Sequence, residues 1–400
     1  GGAMIAGYVA RAASSPGSIV TIGKVEGALS GSPAVRDVAL ADAKGVWLKI
    51  DRIDARMGML ALLRGVVDIE TLDIGAIDVL RKPLATPSLA DNRNIFDRIR
   101  EAIAWRPPLA LRIGALKVGK IALAEPTLGA AATLGLAGSA DLGATGSAAR
   151  VSLEVQRNDA PGRIAARADI AGDGGKLKLA VDASEPQGGL VARLIAIPGL
   201  PPVDVHLDGD GALDAFAAKL DARAGNVADA SGTASIKREN AQRRIGLDLS
   251  ARLGALLPKD VAALFEKTTR VTGSGAVADN GAIAIDALTL DASAFRLEGA
   301  GAIGADGRLS GQARLAGAPT QPGAAFSART LKADVQISGS LAKPEGALQA
   351  LIENARGPMG AIGHIDLTGS LAPASGAAGF SDMTAKGSAT GLALSDAGLA

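Results

Sequence analysis

Two histidines, His206 and His364, and no cysteine serve a chain of 400 residues, so the groups that usually run nucleophilic, acid–base or metal chemistry are nearly missing. A Ser-His-Asp site needs a histidine oriented by a carboxylate, and a zinc site needs several His or Cys ligands. Each histidine occupies a polar slot beside apolar strand residues, which predicts a solvent-facing position for both. Asp208-Gly209-Asp210-Gly211 with Asp214 bears a faint likeness to a calcium loop. It lacks the glutamate at the twelfth position and the helical flanks, and the spacing predicts a tight hairpin turn. Gly114 and Gly119-Lys120 have the glycine and lysine spacing of a P-loop, but Ile121 stands where the magnesium-binding hydroxyl belongs and a strand pattern runs through the segment. No catalytic residue, no metal ligand and no cofactor is expected, and the chain is read as a non-enzyme.

The informative pattern lies in the elements around these residues. Val203, Val205 and Leu207 interleave with Asp204, His206 and Asp208, and Ile245, Leu247 and Leu249 with Gly246 and Asp248. Alternation at period two places apolar side chains on one face of a strand and polar ones on the other. Such segments recur along most of the chain with glycine or proline breaks and no fixed repeat period, which argues against a solenoid. Hydrophobic residues make up 48% but aromatics only 2%, so the large side chains that dominate a compact core are scarce. With Gly 52 and Pro 18, turns are frequent, and turn connections favour antiparallel neighbours. The formal net charge of +1, with both signs scattered, excludes the basic stripe of a nucleic-acid binder. No apolar run is long enough to span a bilayer.

The fold class expected is therefore all-β: an elongated, curled, mostly antiparallel sheet with one or two short helices, which must curl onto itself or leave an apolar groove. An amphipathic helix is predicted near 94–104, where Ile95, Ile99 and Ile103 recur at helical spacing before Trp105-Arg106-Pro107-Pro108. A second is predicted at Pro258 with Val261, Leu264 and Phe265, and a helical turn within 57–63. Phase slips at Thr71-Leu72 and Ala76-Ile77 predict bulges. Strands are expected at, among others, 109–113, 116–123, 151–155, 164–170, 177–181, 190–195, 203–207, 245–249, 283–290 and 331–337. The chain is divided into a tail (1–18) and segments 19–130, 131–315 and 316–400. The turn-rich stretch 129–149 and the Gly/Ala/Pro-rich stretch 316–328 are the candidate breaks.

Local phrases also resemble a known family. Thr21-Ile22-Gly23-Lys24-Val25-Glu26-Gly27-Ala28-Leu29-Ser30-Gly31 is followed by Asp42-Ala43-Lys44-Gly45-Val46-Trp47-Leu48-Lys49-Ile50. Leu60-Ala61-Leu62-Leu63-Arg64-Gly65, Ile69-Glu70-Thr71-Leu72 and Val79-Leu80-Arg81-Lys82-Pro83 come next. Further on stand Glu185-Pro186-Gln187-Gly188-Gly189-Leu190, Pro198-Gly199-Leu200-Pro201-Pro202, Leu207-Asp208-Gly209-Asp210-Gly211-Ala212-Leu213 and Leu257-Pro258-Lys259-Asp260-Val261. Their order, over roughly 19 to 300, resembles the N-terminal part of the periplasmic region of the TamB family, an AsmA-like group similar to bridge-like lipid transfer proteins. Arg56-Met57-Gly58 departs from the family pattern, in which a tryptophan is usual, and no counterpart of the family's C-terminal domain is visible.

The resemblance implies a β-taco, a sheet U-shaped in section around a continuous groove, in a periplasmic protein of a Gram-negative bacterium held in the inner membrane by an anchor upstream of this chain. It implies phospholipid acyl chains as cargo between inner and outer membranes, and a TamA-like outer-membrane β-barrel as partner through the missing C-terminal part; no nucleic acid is expected. The runner-up role is a scaffold for outer-membrane protein assembly. The residues expected to line a lipid groove are Leu48, Ile50, Leu111, Ile113, Leu153, Val155, Leu177, Leu179, Val203, Val205, Leu247, Leu249, Ile283, Ile285, Val335 and Ile337. The competing expectation for the same residues is the core of a closed sandwich or barrel.

Overall fold

The structure is a computed structural model and describes residues 18–27, 31–84, 107, 109–144, 147–172, 175–212, 214–320, 326–341, 343–357, 360–373 and 381–394. The described chain is nearly all strand, as its alternation predicts, and divides into two compact units, residues 1–213 and 214–400. The helix expected near 94–104 and the tail 1–17 lie outside the described residues.

The first unit holds β1 (Ile19–Glu26), β2 (Ala34–Asp42), β3 (Gly45–Met57), β4 (Val66–Val79), β5 (Ala110–Leu123), β6 (Ala132–Leu142), β7 (Ala149–Arg157), β8 (Arg163–Ile170), β9 (Leu177–Glu185) and β10 (Val203–Ala212). Each pairs with its neighbour in sequence, antiparallel throughout except for the parallel pair β4 and β5. The second unit holds β11 (Ala215–Ala224), β12 (Ala228–Glu239), β13 (Gln242–Arg252), β14 (Thr269–Ala278), β15 (Ile283–Asp291), β16 (Phe295–Ile303), β17 (Leu309–Gly317), β18 (Thr330–Gly339), β19 (Pro344–Gly357), β20 (Gly360–Pro373), β21 (Ser381–Thr390) and β22 (Ala393–Leu394). These too are antiparallel to their sequence neighbours, with β21 and β22 both on β20. Among the described residues the strands of neither unit close into a barrel.

Among the described residues, helical structure is confined to connections. Met59–Leu62 turns the chain from β3 to β4, and Glu125–Leu128 turns it from β5 to β6. Lys259–Ala262 follows Pro258, which stands at the N-cap, one position before the first helical residue where its ring was expected. The register of β3 against β4 is irregular at Arg56/Met57, beside the phase slip at Thr71-Leu72. At the second slip, Ala76 N–H donates to Asp51 Oδ1 at 2.6 Å in place of a regular ladder bond.

Two sequence expectations are overturned. Residues 190–195 are not a strand: Leu190–Leu194 is helical. The segment runs apolar without alternation, and Glu185 takes the Val191 N–H at 2.6 Å, so the first turn is capped by a carboxylate from the preceding strand. Asp208-Gly209-Asp210-Gly211 is not a hairpin turn, since all four lie inside β10. Gly209 faces Leu179 and Gly211 faces Leu177, so both glycines fill inward slots of a strand while the aspartates point to water. The stretch 129–149 contains β6, and 316–328 begins inside β17.

Candidate functional site: one apolar face on each sheet

Directly paired residues share a face of a sheet, so the registers trace continuous rows across the strands. In the first unit one row runs Val25, Val35, Ile53, Ile74, Val118, Leu136, Val155, Ile164, Ala183 and Val205, apolar on all ten strands. Parallel rows on the same face carry the remaining groove candidates of this unit. Leu48 lies between Leu40 and Val79, and Ile50 between Val38 and Ile77. Leu153 faces Ala166, Ile113 faces Ala140, Leu111 faces Leu142, Leu177 faces Ile170 and Leu179 faces Ala168. Val203 faces Glu185 at the edge of this face.

The second unit repeats the arrangement. Leu220, Gly232, Leu249, Val271, Leu290, Leu297, Leu315, Ala333, Ala350, Leu367 and Gly387 form one row across β11 to β21. Leu247 and Val335 belong to the next row, Ile285 and Ile337 to another, and Ile283 faces Ile303 and Val277. Every residue expected to line a groove thus lies on the apolar face of its own unit.

What the sequence reading missed is the part that glycine plays on this face. Gly232 lies opposite Leu249, Gly273 opposite Leu247 and Leu288, Gly301 opposite Ile285, Gly346 opposite Ile337, and Gly369 opposite Leu348. A Cβ on Gly232 would stand 2.6 Å from Leu249 Cδ2, and one on Gly387 2.6 Å from Leu367 Cδ2. The leucines therefore lie down over the glycines, and the floor is shallow. The signal was present as glycine in the apolar slots of alternating segments, but glycine is not counted as apolar.

This face is not sealed into a core. Ile285 is 47% exposed and Ile337 41%, and the buried hydrophobics are mostly alanines with a few residues such as Val118 and Val203. A closed sandwich would bury such side chains almost completely, so the closed core weighed from sequence disagrees with these exposures.

The opposite face is charged and self-compensating. Asp68, Arg112, Asp141, Arg150, Asp169, Lys178 and Asp210 form one row in which the sign alternates at every strand. Arg150 pairs with Asp169 at 3.2 Å, Arg163 with Glu154 at 2.9 Å, Arg270 with Asp248 at 2.7 Å and Arg314 with Asp334 at 2.8 Å. Hydrogen bonds from these arginines lower the pKa of Glu154 and Asp248. A crevice of about 630 Å³ on this face is lined by Asp68, Glu70, Arg112, Asp141, Arg150, Arg167 and Asp169. Acids and bases there neutralise one another, which leaves little net charge to hold an ionic ligand.

His206 stands on this face, half exposed, with Nδ1 2.5 Å from Asp182 Oδ1 and Nε2 2.6 Å from Asp208 Oδ2. The hydrogen bond to Asp182, then the charge of Asp208, raises its pKa above the ordinary 6.5. His364 pairs with Asp366 at 2.6 Å. Both are the solvent-facing strand residues the alternation predicts.

The ends of the strands are tied by groups from the phrases quoted above. Arg81 donates to both carboxylate oxygens of Asp42, at 2.6 and 2.9 Å, and to Gly45 O, which locks the end of β4 onto the β2–β3 turn. That hydrogen bond holds the Asp42 carboxyl far below the usual carboxylate range. Glu185 and Arg243 are buried charges at the edge of the apolar face of the first and second unit. Arg243 reaches Asp279 at 3.3 Å and Asp214 at 3.6 Å.

No family model, curated protein or solved structure matches this chain.

Proposed function

We propose that the apolar face of each sheet is a bed for lipid acyl chains, with head groups left in water, and that the protein carries phospholipids without covalent chemistry. The observation that carries this reading is an apolar row unbroken across every strand of the first unit and across β11 to β21 of the second, while Ile285 and Ile337 stay nearly half exposed. Contiguous exposed apolar surface on this scale marks an interaction site. Each methylene buried from water contributes about 0.8 kcal/mol, so a floor of Leu, Ile, Val and Gly binds an alkyl chain without directional polar contacts. The TamB-like order of phrases adds the setting: a periplasmic bridge between the inner and outer membranes of a Gram-negative cell.

Native mass spectrometry with lipid extraction, on protein purified without detergent, tests the reading. Several phospholipids per chain are expected, and Ile285→Asp/Ile337→Asp should lose lipid while keeping its far-ultraviolet circular dichroism. A well-folded chain that carries no lipid would refute the bed and favour the role of scaffold for protein assembly.

A further inference from the structure

Among the described residues of the first unit, the most exposed leucines are not on the sheet but on the connection from β3 to β4. Leu60 is 78% exposed and Leu63 85%, beside Met59 and Leu62, which are also exposed. The turn that carries them is firmly held. Gly58 N–H donates to Asp68 O at 2.8 Å, Arg64 N–H to Ala61 O at 2.9 Å, and Gly65, at φ +71°, donates to Leu62 O at 3.0 Å. Met59 folds back so that a Cβ on Gly31 would lie 3.2 Å from its Cγ. The leucines are thus presented on a fixed knuckle.

Two cations flank it. Arg56 and Arg64 are exposed, and among the described residues neither guanidinium has an ion pair. By contrast, Arg36, Arg52 and Arg81 nearby in the chain are all paired with aspartates. Asp68, whose carbonyl accepts the Gly58 N–H, has Arg112 opposite it in the sheet.

We infer that this knuckle docks the protein on a lipid bilayer bearing anionic head groups, with Leu60 and Leu63 in the interfacial layer and Arg56 and Arg64 at the phosphates. Unpaired arginines beside an apolar tip complement an anionic surface. Four large side chains fall far short of the roughly 20–30 residues per side of a stable protein interface, which argues against a second copy or a protein partner. Met57, just before the knuckle, shares an apolar row with Ile69 and Ile113. This last step rests on the lipid-bed reading: an acyl chain leaving the bilayer at the knuckle meets the apolar floor directly.

Flotation of the whole chain with vesicles of phosphatidylcholine, alone or mixed with phosphatidylglycerol, tests the inference. The unaltered protein should float with the mixed vesicles. Leu60→Ser/Leu63→Ser should lower binding at least about tenfold, since two leucines leave the apolar layer, with an unchanged thermal midpoint because both side chains are exposed. Arg64→Gln should bind the two vesicle types more equally. Unaltered flotation of the double variant would overturn the inference. So would concentration-dependent dimerisation that the same substitutions abolish. Lipid extracted from the purified double variant reports on the bed separately: loss of flotation supports the knuckle whether or not lipid is found there.

Discussion

The two units use the same alternation to make the same two-faced sheet, yet they fill the inward slots differently. The main row of the first unit contains no glycine and places Val118 at 5% exposure, whereas in the second unit the rows beside the main one set leucine or isoleucine against glycine, as Leu288 against Gly273 and Gly299, and leave Ile285 at 47%. Large residues on successive strands stand against one another and shield each other's flanks. A leucine facing glycine lies flat and keeps one flank open. The first sheet has begun to make a core of its own, and the second has kept its floor low and available. That floor costs local stability, because glycine in a strand loses more conformational entropy than other residues and packs no side chain.

The comparison breaks most visibly under charge. Val118→Asp should destabilise the first unit by roughly 3 kcal/mol or more, since a carboxylate would enter a covered apolar site without a partner. Ile285→Asp should cost about 1–2 kcal/mol, the loss of a half-buried side chain and of strand propensity. Urea unfolding of the two variants measures both. Equal losses would mean that the second face is as closed as the first, and the lipid bed would lose its main support.

Adding side chains to the floor should separate stability from binding. At Gly273 a Cβ meets Leu288 Cδ1 at 3.6 Å and Leu247 Cβ at 3.9 Å, which are ordinary contacts. Gly273→Val should therefore stabilise the sheet by about 0.5–1 kcal/mol through strand propensity, and at the same time displace lipid from the raised floor. Gly232→Ala should act in the opposite sense on stability. Its Cβ would meet backbone as well as Leu249, so the strands would have to part. A Gly273→Val protein that is more stable and equally lipid-loaded would show that the glycines serve the sheet and not an occupant.

The glycine floor also explains what the sequence disclosed and what it concealed. Runs with aliphatic residues in successive inward slots, such as Leu177, Leu179 and Val181 in β9 or Val203, Val205 and Leu207 in β10, are plain in the alternation. β12, with Ala228, Ala230, Gly232 and Ala234 inward, and β17, with Gly311, Ala313, Leu315 and Gly317 inward, do not stand out as strands because glycine and alanine in inward slots signal breaks more often than floors. Inside β10, Gly209 and Gly211 misled in the same way. The apolar stretch at Leu190 misled in reverse, since a run without alternation fits a strand or a helix, and only the Glu185 carboxylate at Val191 N–H decides between them. The facing of the groove candidates was legible from period two alone. The openness of the face was not, because exposure depends on what lies opposite each residue.

The charged faces differ as well, by a smaller effect. In the first unit His206 sits between Asp182 and Asp208, whereas in the second the cross-strand pairs, among them Arg270 with Asp248 and Arg314 with Asp334, are made by arginines that stay charged at any working pH. His206 has a folded pKa above its ordinary 6.5. Its contribution to stability is therefore complete below about pH 6.5 and is lost as pH rises through the raised value. Thermal unfolding followed from mildly acidic to alkaline pH should show the first unit weakening across that window, and His206→Gln should flatten the change while leaving the second unit's transition unmoved. The side chain is exposed and screened by salt, so the shift should be small and should shrink further as ionic strength rises. A pH dependence that survives in His206→Gln would move the titrating group elsewhere and leave the two charged faces equivalent.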